Sequence, residues 1–67
     1  MIVLHCINLK TGQYFDKEFP SLYQARIYMI RIVYGAHDKV KVDTISVDYP
    51  HEYAELNYWL QRQRMVQ

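Results

Sequence analysis

Residues 21–35 read SLYQARIYMIRIVYG, and this stretch carries the signals of a helix at both of its ends. Ser21 is a favourable N-cap, and Gln24, three residues later, can complete a capping box. Gly35 stands where helices commonly end in the left-handed conformation. Nearly every side chain in between is apolar or aromatic. The stretch therefore predicts a helix that is buried on more than one side, because ordinary surface helices carry a single apolar stripe.

The apolar side chains of this helix fall into two arcs when each residue advances by about 100°. The first arc, about 100° wide, is the predicted core face and consists of Leu22, Ala25, Met29, Ile32 and Val33. The second arc, about 60° wide, consists of Tyr23, Ile27, Ile30 and Tyr34. A chain of 67 residues has little material with which to cover a helix twice. The second arc is therefore expected to meet the second helix, another copy of the chain or a different protein.

Two β-strands are predicted before this helix. Residues 1–9 are rich in β-forming residues and are apolar on both faces, which is typical of a central strand. Gly12 can supply the positive φ of a hairpin loop. Residues 13–19 mix aromatic and charged side chains, which favours an edge strand with one wet face, and Pro20 ends this strand because it lacks an N–H donor.

A third strand is predicted over residues 39–49, after a short loop at residues 36–38. Its apolar alternation slips by one residue between the pair Val40 and Val42 and the later residues Ile45 and Val47. A bulge at Asp43-Thr44 would place both sets on one face, and we prefer it to a hairpin turn because a two-residue turn favours glycine or asparagine.

A second helix is predicted from Pro50 to about residue 65, with proline suited to the first helical position. Its packing face is predicted to consist of Tyr53, Leu56, Trp59 and Leu60. The last residues, 62–67, are expected to fray.

The resulting fold class is α+β, a small β-β-α-β-α domain with a three-stranded, mainly antiparallel sheet of order 2-1-3 packed on two helices. Strands two and three are joined through a helix, which favours a parallel orientation and a right-handed crossover, so the apolar first strand fits between them. Residues 1–67 are predicted to form one compact domain. This arrangement hosts unrelated functions and does not indicate one.

Composition excludes several function classes. The formal charge of +1 gives no basis for broad electrostatic steering to nucleic acid or anionic lipid. No run of about 20 apolar residues predicts a membrane span, and the N-terminal segment lacks a basic region typical of a signal peptide. Cys6 is the single cysteine, which fits a reducing, cytoplasmic location.

Motifs that carry chemistry are weak. His5 and Cys6 are strand neighbours and point to opposite faces, so they are not expected to pair, and His5 is expected to be a hydrogen-bonded core histidine. His51 and Glu55 stand four residues apart and offer two metal ligands, fewer than a site needs. We therefore predict no catalytic residue, no metal and no cofactor, and we do not expect an enzyme.

The surplus of apolar and tyrosine surface favours a small protein-protein interaction or regulatory module, with self-association as a homodimer expected. The candidate interface residues are Tyr23, Ile27, Ile30, Tyr34, Tyr58 and Trp59. One alternative is an inhibitor of a host nuclease complex, carried by a phage or plasmid.

A second alternative is weak nucleic-acid binding, with exposed tyrosines stacking on bases. The basic residues that could form such a site are Lys39, Lys41, Arg62 and Arg64. A gel-shift assay at low salt tests this alternative, because phosphate contacts weaken steeply between about 50 and 200 mM salt.

Overall fold

A computed structural model describes residues 1–35 and 39–66. The element order is β1 (Ile2–Asn8), β2 (Tyr14–Phe19), α1 (Leu22–Val33), β3 (Val40–Ser46) and α2 (Pro50–Val66). This order confirms the predicted β-β-α-β-α fold. The predicted loop at residues 36–38 lies outside the described residues.

The sheet has the predicted order β2-β1-β3, and β1 pairs antiparallel with both neighbours. Between β1 and β3 the register shifts, since His5 lies opposite Thr44 whereas Cys6 lies opposite Val42. Asp43 is thus the extra residue of a bulge, which decides between the two interpretations of Asp43-Thr44 in favour of the bulged strand.

Local signals position the elements as expected. The Ser21 hydroxyl accepts a hydrogen bond from the Gln24 N–H at 3.4 Å, which caps α1. Gly35 follows α1 with a φ of +84°, and Gly12 turns the β1–β2 loop with a φ of +77°. Both values lie in the left-handed region that glycine adopts without steric penalty.

Both helices pack on the same face of the sheet. Ile2, Leu4 and Cys6 of β1 share one buried cluster with residues of the two helices. The helix residues of that cluster are Ala25, Met29, Ile32, Leu56 and Leu60. The opposite face of β1, with Val3, His5 and Ile7, is therefore left uncovered by either helix, and these side chains are only partly buried.

Two side chains lie elsewhere than predicted. His5 makes hydrogen bonds as expected but lies on the uncovered sheet face, so the prediction of a core histidine is wrong. His5 lies on the opposite face of β1 from Leu4 and Cys6, and both helices pack on the face of those two residues. The prediction that Tyr53 belongs to the packing face of α2 is wrong, since this residue is 44% exposed, and Gln63 joins Leu56 and Leu60 on the buried side of the helix.

Gln63 closes the outer edge of β3. Its side chain is fully buried, with 0% of its surface exposed. The Val42 N–H donates to Gln63 Oε1 at 2.9 Å, and Gln63 Nε2 donates to the Val42 carbonyl oxygen at 2.9 Å. The amide thus makes both hydrogen bonds that a further strand would make to Val42. Fraying of the chain end stays a prediction, but α2 runs to Val66 and is fixed at residue 63.

Candidate protein-binding surface

The second arc of α1 faces away from the sheet. Tyr23 and Tyr34 expose 63% and 69% of their surface, while Ile27 and Ile30 are partly buried. The first arc supplies the buried side of the helix, namely Ala25, Met29, Ile32 and Val33. The wheel therefore assigned the two faces of α1 as the structure has them.

Helix α2 lies next to this arc. An ion pair between Arg26 and Glu55 joins the two helices. Both helices begin at the end of the sheet where β2 and β3 finish, so they run in the same direction. One turn beyond the ion pair, Ile30 and Trp59 consequently stand at the same level on either side of the seam between the helices.

The α2 side of the seam carries two aromatic rings. Tyr58 is 57% exposed and packs edge-on against Trp59, with ring centroids 5.1 Å apart and an interplanar angle of 84°. Trp59 in turn packs against the core cluster. Such edge-to-face pairs hold both rings in a defined position. We call the six residues of this surface the tyrosine patch: Tyr23, Ile27, Ile30, Tyr34, Tyr58 and Trp59.

Arginine side chains border the tyrosine patch. Arg31 lies about 40° from Ile27 on the wheel of α1, and Arg62 lies about 40° from Tyr58 on the wheel of α2. The Arg26 guanidinium stands 5.7 Å from the Tyr23 ring centroid, within the range of a cation–π contact. Exposed tyrosine with arginine is the residue combination that protein interfaces favour.

The four basic residues of the nucleic-acid alternative do not lie on one face. Lys41 is opposite Ile7 in the register and therefore belongs to the uncovered sheet face, whereas Arg62 and Arg64 are on α2 in the helix layer. Arg62 and Arg64 are also about 200° apart on the wheel of that helix. Lys39 is exposed in the turn that immediately precedes β3.

Tyr28 is the one tyrosine of α1 outside the patch, and it lies over β2. Its ring is 5.4 Å from that of Phe19, and Lys17 Nζ stands 5.2 Å from its centroid. Burial raises the pKa of the Tyr28 hydroxyl. This tyrosine therefore fills the gap between α1 and the edge strand β2.

The uncovered sheet face carries a hydrogen-bonded group that the sequence reasoning missed. His5 Nδ1 is 2.8 Å from Asp16 Oδ1, and His5 Nε2 is 2.7 Å from Ser46 Oγ. The signal was present, because the alternation placed Asp16 on the wet face of β2 and the order 2-1-3 placed β2 next to His5. The register that also brings Ser46 to His5 depends on the bulge.

Comparisons with known proteins give no relative from which a function could be inferred, so the surfaces described above are the basis for proposing one. The chain matches no protein-family model, no curated protein and no solved structure. Neither helix described here has the length and apolar character needed to cross a membrane. Among residues 1–35 and 39–66, no three or more histidine, cysteine or acidic side chains are grouped as metal ligands would be.

Proposed function

We propose that this chain is a small protein-binding module whose biological role is binding rather than catalysis, and that the tyrosine patch is its contact surface. The observation that carries the proposal is the exposure of Tyr23, Tyr34 and Tyr58 around the partly buried Ile27, Ile30 and Trp59. Large apolar side chains grouped on one side of a small domain are typical of an interaction site.

The charges around the patch indicate the chemistry of the partner. Arg31 and Arg62 make the border of the patch cationic, so a partner with an apolar centre and an acidic rim is complementary to it. A twofold homodimer through the same patch would place the arginines of both copies on one rim, because a symmetric contact sets a surface against itself. We therefore favour a different protein over a second copy.

The sheet edges support the choice of the helix layer. Gln63 occupies the β3 edge at Val42. At the β2 edge, a second copy could continue the sheet through antiparallel pairing of the two β2 strands about a twofold axis at residue 16, 17 or 18. Each of these axes places a charged residue, Asp16, Lys17 or Glu18, directly opposite the same residue of the second copy. Like charges directly opposite each other destabilise strand pairing.

Site-specific photo-crosslinking tests the proposal. A benzophenone amino acid at Tyr58 is expected to capture a partner in the source cell, and the same group at Tyr14 is the control, since Tyr14 is 70% exposed but lies on the opposite, uncovered sheet face. The captured protein should be lost when Ile27→Glu is added and should present an acidic rim. Equal capture from both positions would refute the patch as the contact surface.

Light scattering of the purified protein tests self-association. A monomer at high concentration is the expected result. A dimer that Ile27→Glu dissociates would instead show that the partner of the tyrosine patch is a second copy of this chain. A cytoplasmic location is part of the proposal and is supported by the free thiol of Cys6. The nuclease-inhibitor and nucleic-acid alternatives stay predictions.

A further inference from the structure

Three strands bring Asp16, His5 and Ser46 into one hydrogen-bonded row on the uncovered sheet face. Asp16 lies directly opposite His5 in β2, and Ser46 of β3 is its diagonal neighbour, being opposite Val3. The row runs from Asp16 Oδ1 to His5 Nδ1 at 2.8 Å and from His5 Nε2 to Ser46 Oγ at 2.7 Å. Each atom is within hydrogen-bond distance of the next.

The direction of the protons follows from the chemistry of the groups. A carboxylate only accepts hydrogen bonds, so Nδ1 of His5 carries a hydrogen and donates it to Asp16. In the neutral imidazole Nε2 is then the acceptor, and the Ser46 hydroxyl donates to it. A serine that donates to a histidine oriented by a carboxylate is the arrangement that activates serine as a nucleophile.

We propose that Ser46 is a nucleophile that accepts short acyl groups from activated aryl esters, a chemical capacity separate from the proposed protein binding. Ser46 is exposed, so an ester can reach it from solvent. Val3 lies directly opposite Ser46, so the apolar end of a short acyl chain bonded to Oγ would lie beside this valine.

The step balances with the groups present and water. Ser46 Oγ bonds to the acyl carbon while its proton passes to His5 Nε2, and the bond from the acyl carbon to the phenolate oxygen breaks. The departing phenolate takes the proton from His5. A water molecule then attacks the acyl-serine with His5 as the base, which releases the carboxylic acid and restores the Ser46 hydroxyl.

The test uses 4-nitrophenyl acetate and the full chain, with Ser21 as an internal reference. Ser21 and Ser46 are the two serines of the sequence, and Ser21 is also exposed but caps α1 through the Gln24 N–H. After acid quenching, mass spectrometry of the peptides gives the acetylation rate of each serine. Ser46 is expected to react about 10²-fold faster than Ser21, the lower end of what a positioned base contributes.

Two variants separate activation from a purely structural row of polar side chains. His5→Gln should lower the rate at Ser46 to that at Ser21. Asp16→Asn should lower it at least about tenfold, because the amide can donate to Nδ1 and so favour the tautomer that cannot accept from serine. Circular dichroism establishes whether each variant is folded. If His5→Gln does not fold, Asp16→Asn alone provides the test, because Asp16 is exposed and its substitution is expected to leave the fold intact.

The proposal is overturned by equal acetylation of Ser46 and Ser21 in the folded wild-type protein. It is also overturned if Ser46 keeps its rate in a folded His5→Gln or Asp16→Asn variant. Fragment spectra assign each acetyl group to a residue, so acetylation of lysine, of Thr44, of tyrosine or of the N-terminus is counted separately and does not affect either comparison.

Discussion

Replacing Gln63 by alanine should destabilise the domain more than any other change of a polar side chain of α2. The substitution removes the two 2.9 Å hydrogen bonds to Val42, whose backbone groups belong to a residue that is 1% exposed. A hydrogen bond contributes about 0.5–1.5 kcal/mol, and a buried group left without a partner costs about 1–3 kcal/mol. For two such groups we expect a loss of about 3 kcal/mol in the free energy of unfolding.

This loss is large for a chain of this size. A single core in a domain below about 70–80 residues rarely supplies more than about 3–5 kcal/mol. Since 1 kcal/mol shifts the midpoint of a small domain by roughly 4–8 °C, the melting temperature should fall by roughly 12–24 °C. Urea unfolding followed by the fluorescence of Trp59, the only tryptophan of the sequence, measures the change directly.

Two further variants isolate the cause. Gln61→Ala is the matched control, because Gln61 is exposed on the same helix and bonds only the side chain of Asn57 among the contacts described; it should cost less than about 0.5 kcal/mol. Gln63→Leu keeps the bulk and removes both hydrogen bonds, so it should remain destabilising. If Gln63→Ala loses no more stability than Gln61→Ala, the proposed closure of the β3 edge is refuted.

Three further predictions follow from the core and the patch. Met29→Ala should cost about 2–5 kcal/mol in urea unfolding, while Met65→Ala, at a position 78% exposed, should cost little; equal costs would contradict the assigned core. Burial raises the pKa of the Cys6 thiol to about 11 from an ordinary value of 9.0, so the unfolded chain loses this proton first as the pH rises. The free energy of unfolding should therefore fall by about 2–3 kcal/mol between these two pH values, and Cys6→Ala should remove that part of the slope; an unchanged slope in urea titrations would rule this out. Ile27→Glu should leave the circular dichroism spectrum unchanged because its side chain lies in the outward arc of α1; an unfolded variant would show that Ile27 is a core residue.

The bulge in β3 and the two faces of α1 could be predicted because the local sequence pattern carried a strong signal for each. The phase slip between Val42 and Ile45 indicated the bulge, since only an extra residue keeps both side chains on the covered face. The two faces of α1 likewise followed from its periodicity. In each case local chemistry and the final packing agree.

The positions that sequence reasoning missed depend on contacts distant in the chain. Gln63 is polar, and a helix wheel by itself assigns a polar residue to the solvent side. Its burial follows only from the position of Val42, 21 residues earlier, whose backbone groups at the sheet edge need hydrogen-bond partners. His5 required knowledge that α2 lies beside α1 rather than on the other sheet face. The row with Asp16 and Ser46 required the register across all three strands.

The closed edge of β3 sets a limit on how copies of this chain could assemble through their sheets. Growth of a fibril by strand pairing requires two unpaired sheet edges on every molecule, because each molecule must pair with one neighbour on either side. Here one of the two sheet edges is occupied at Val42 by the amide of Gln63. If two molecules paired through their β2 strands, the edges left at both ends of the joined sheet would be the two β3 edges that Gln63 occupies. Growth by strand pairing would therefore stop at a dimer.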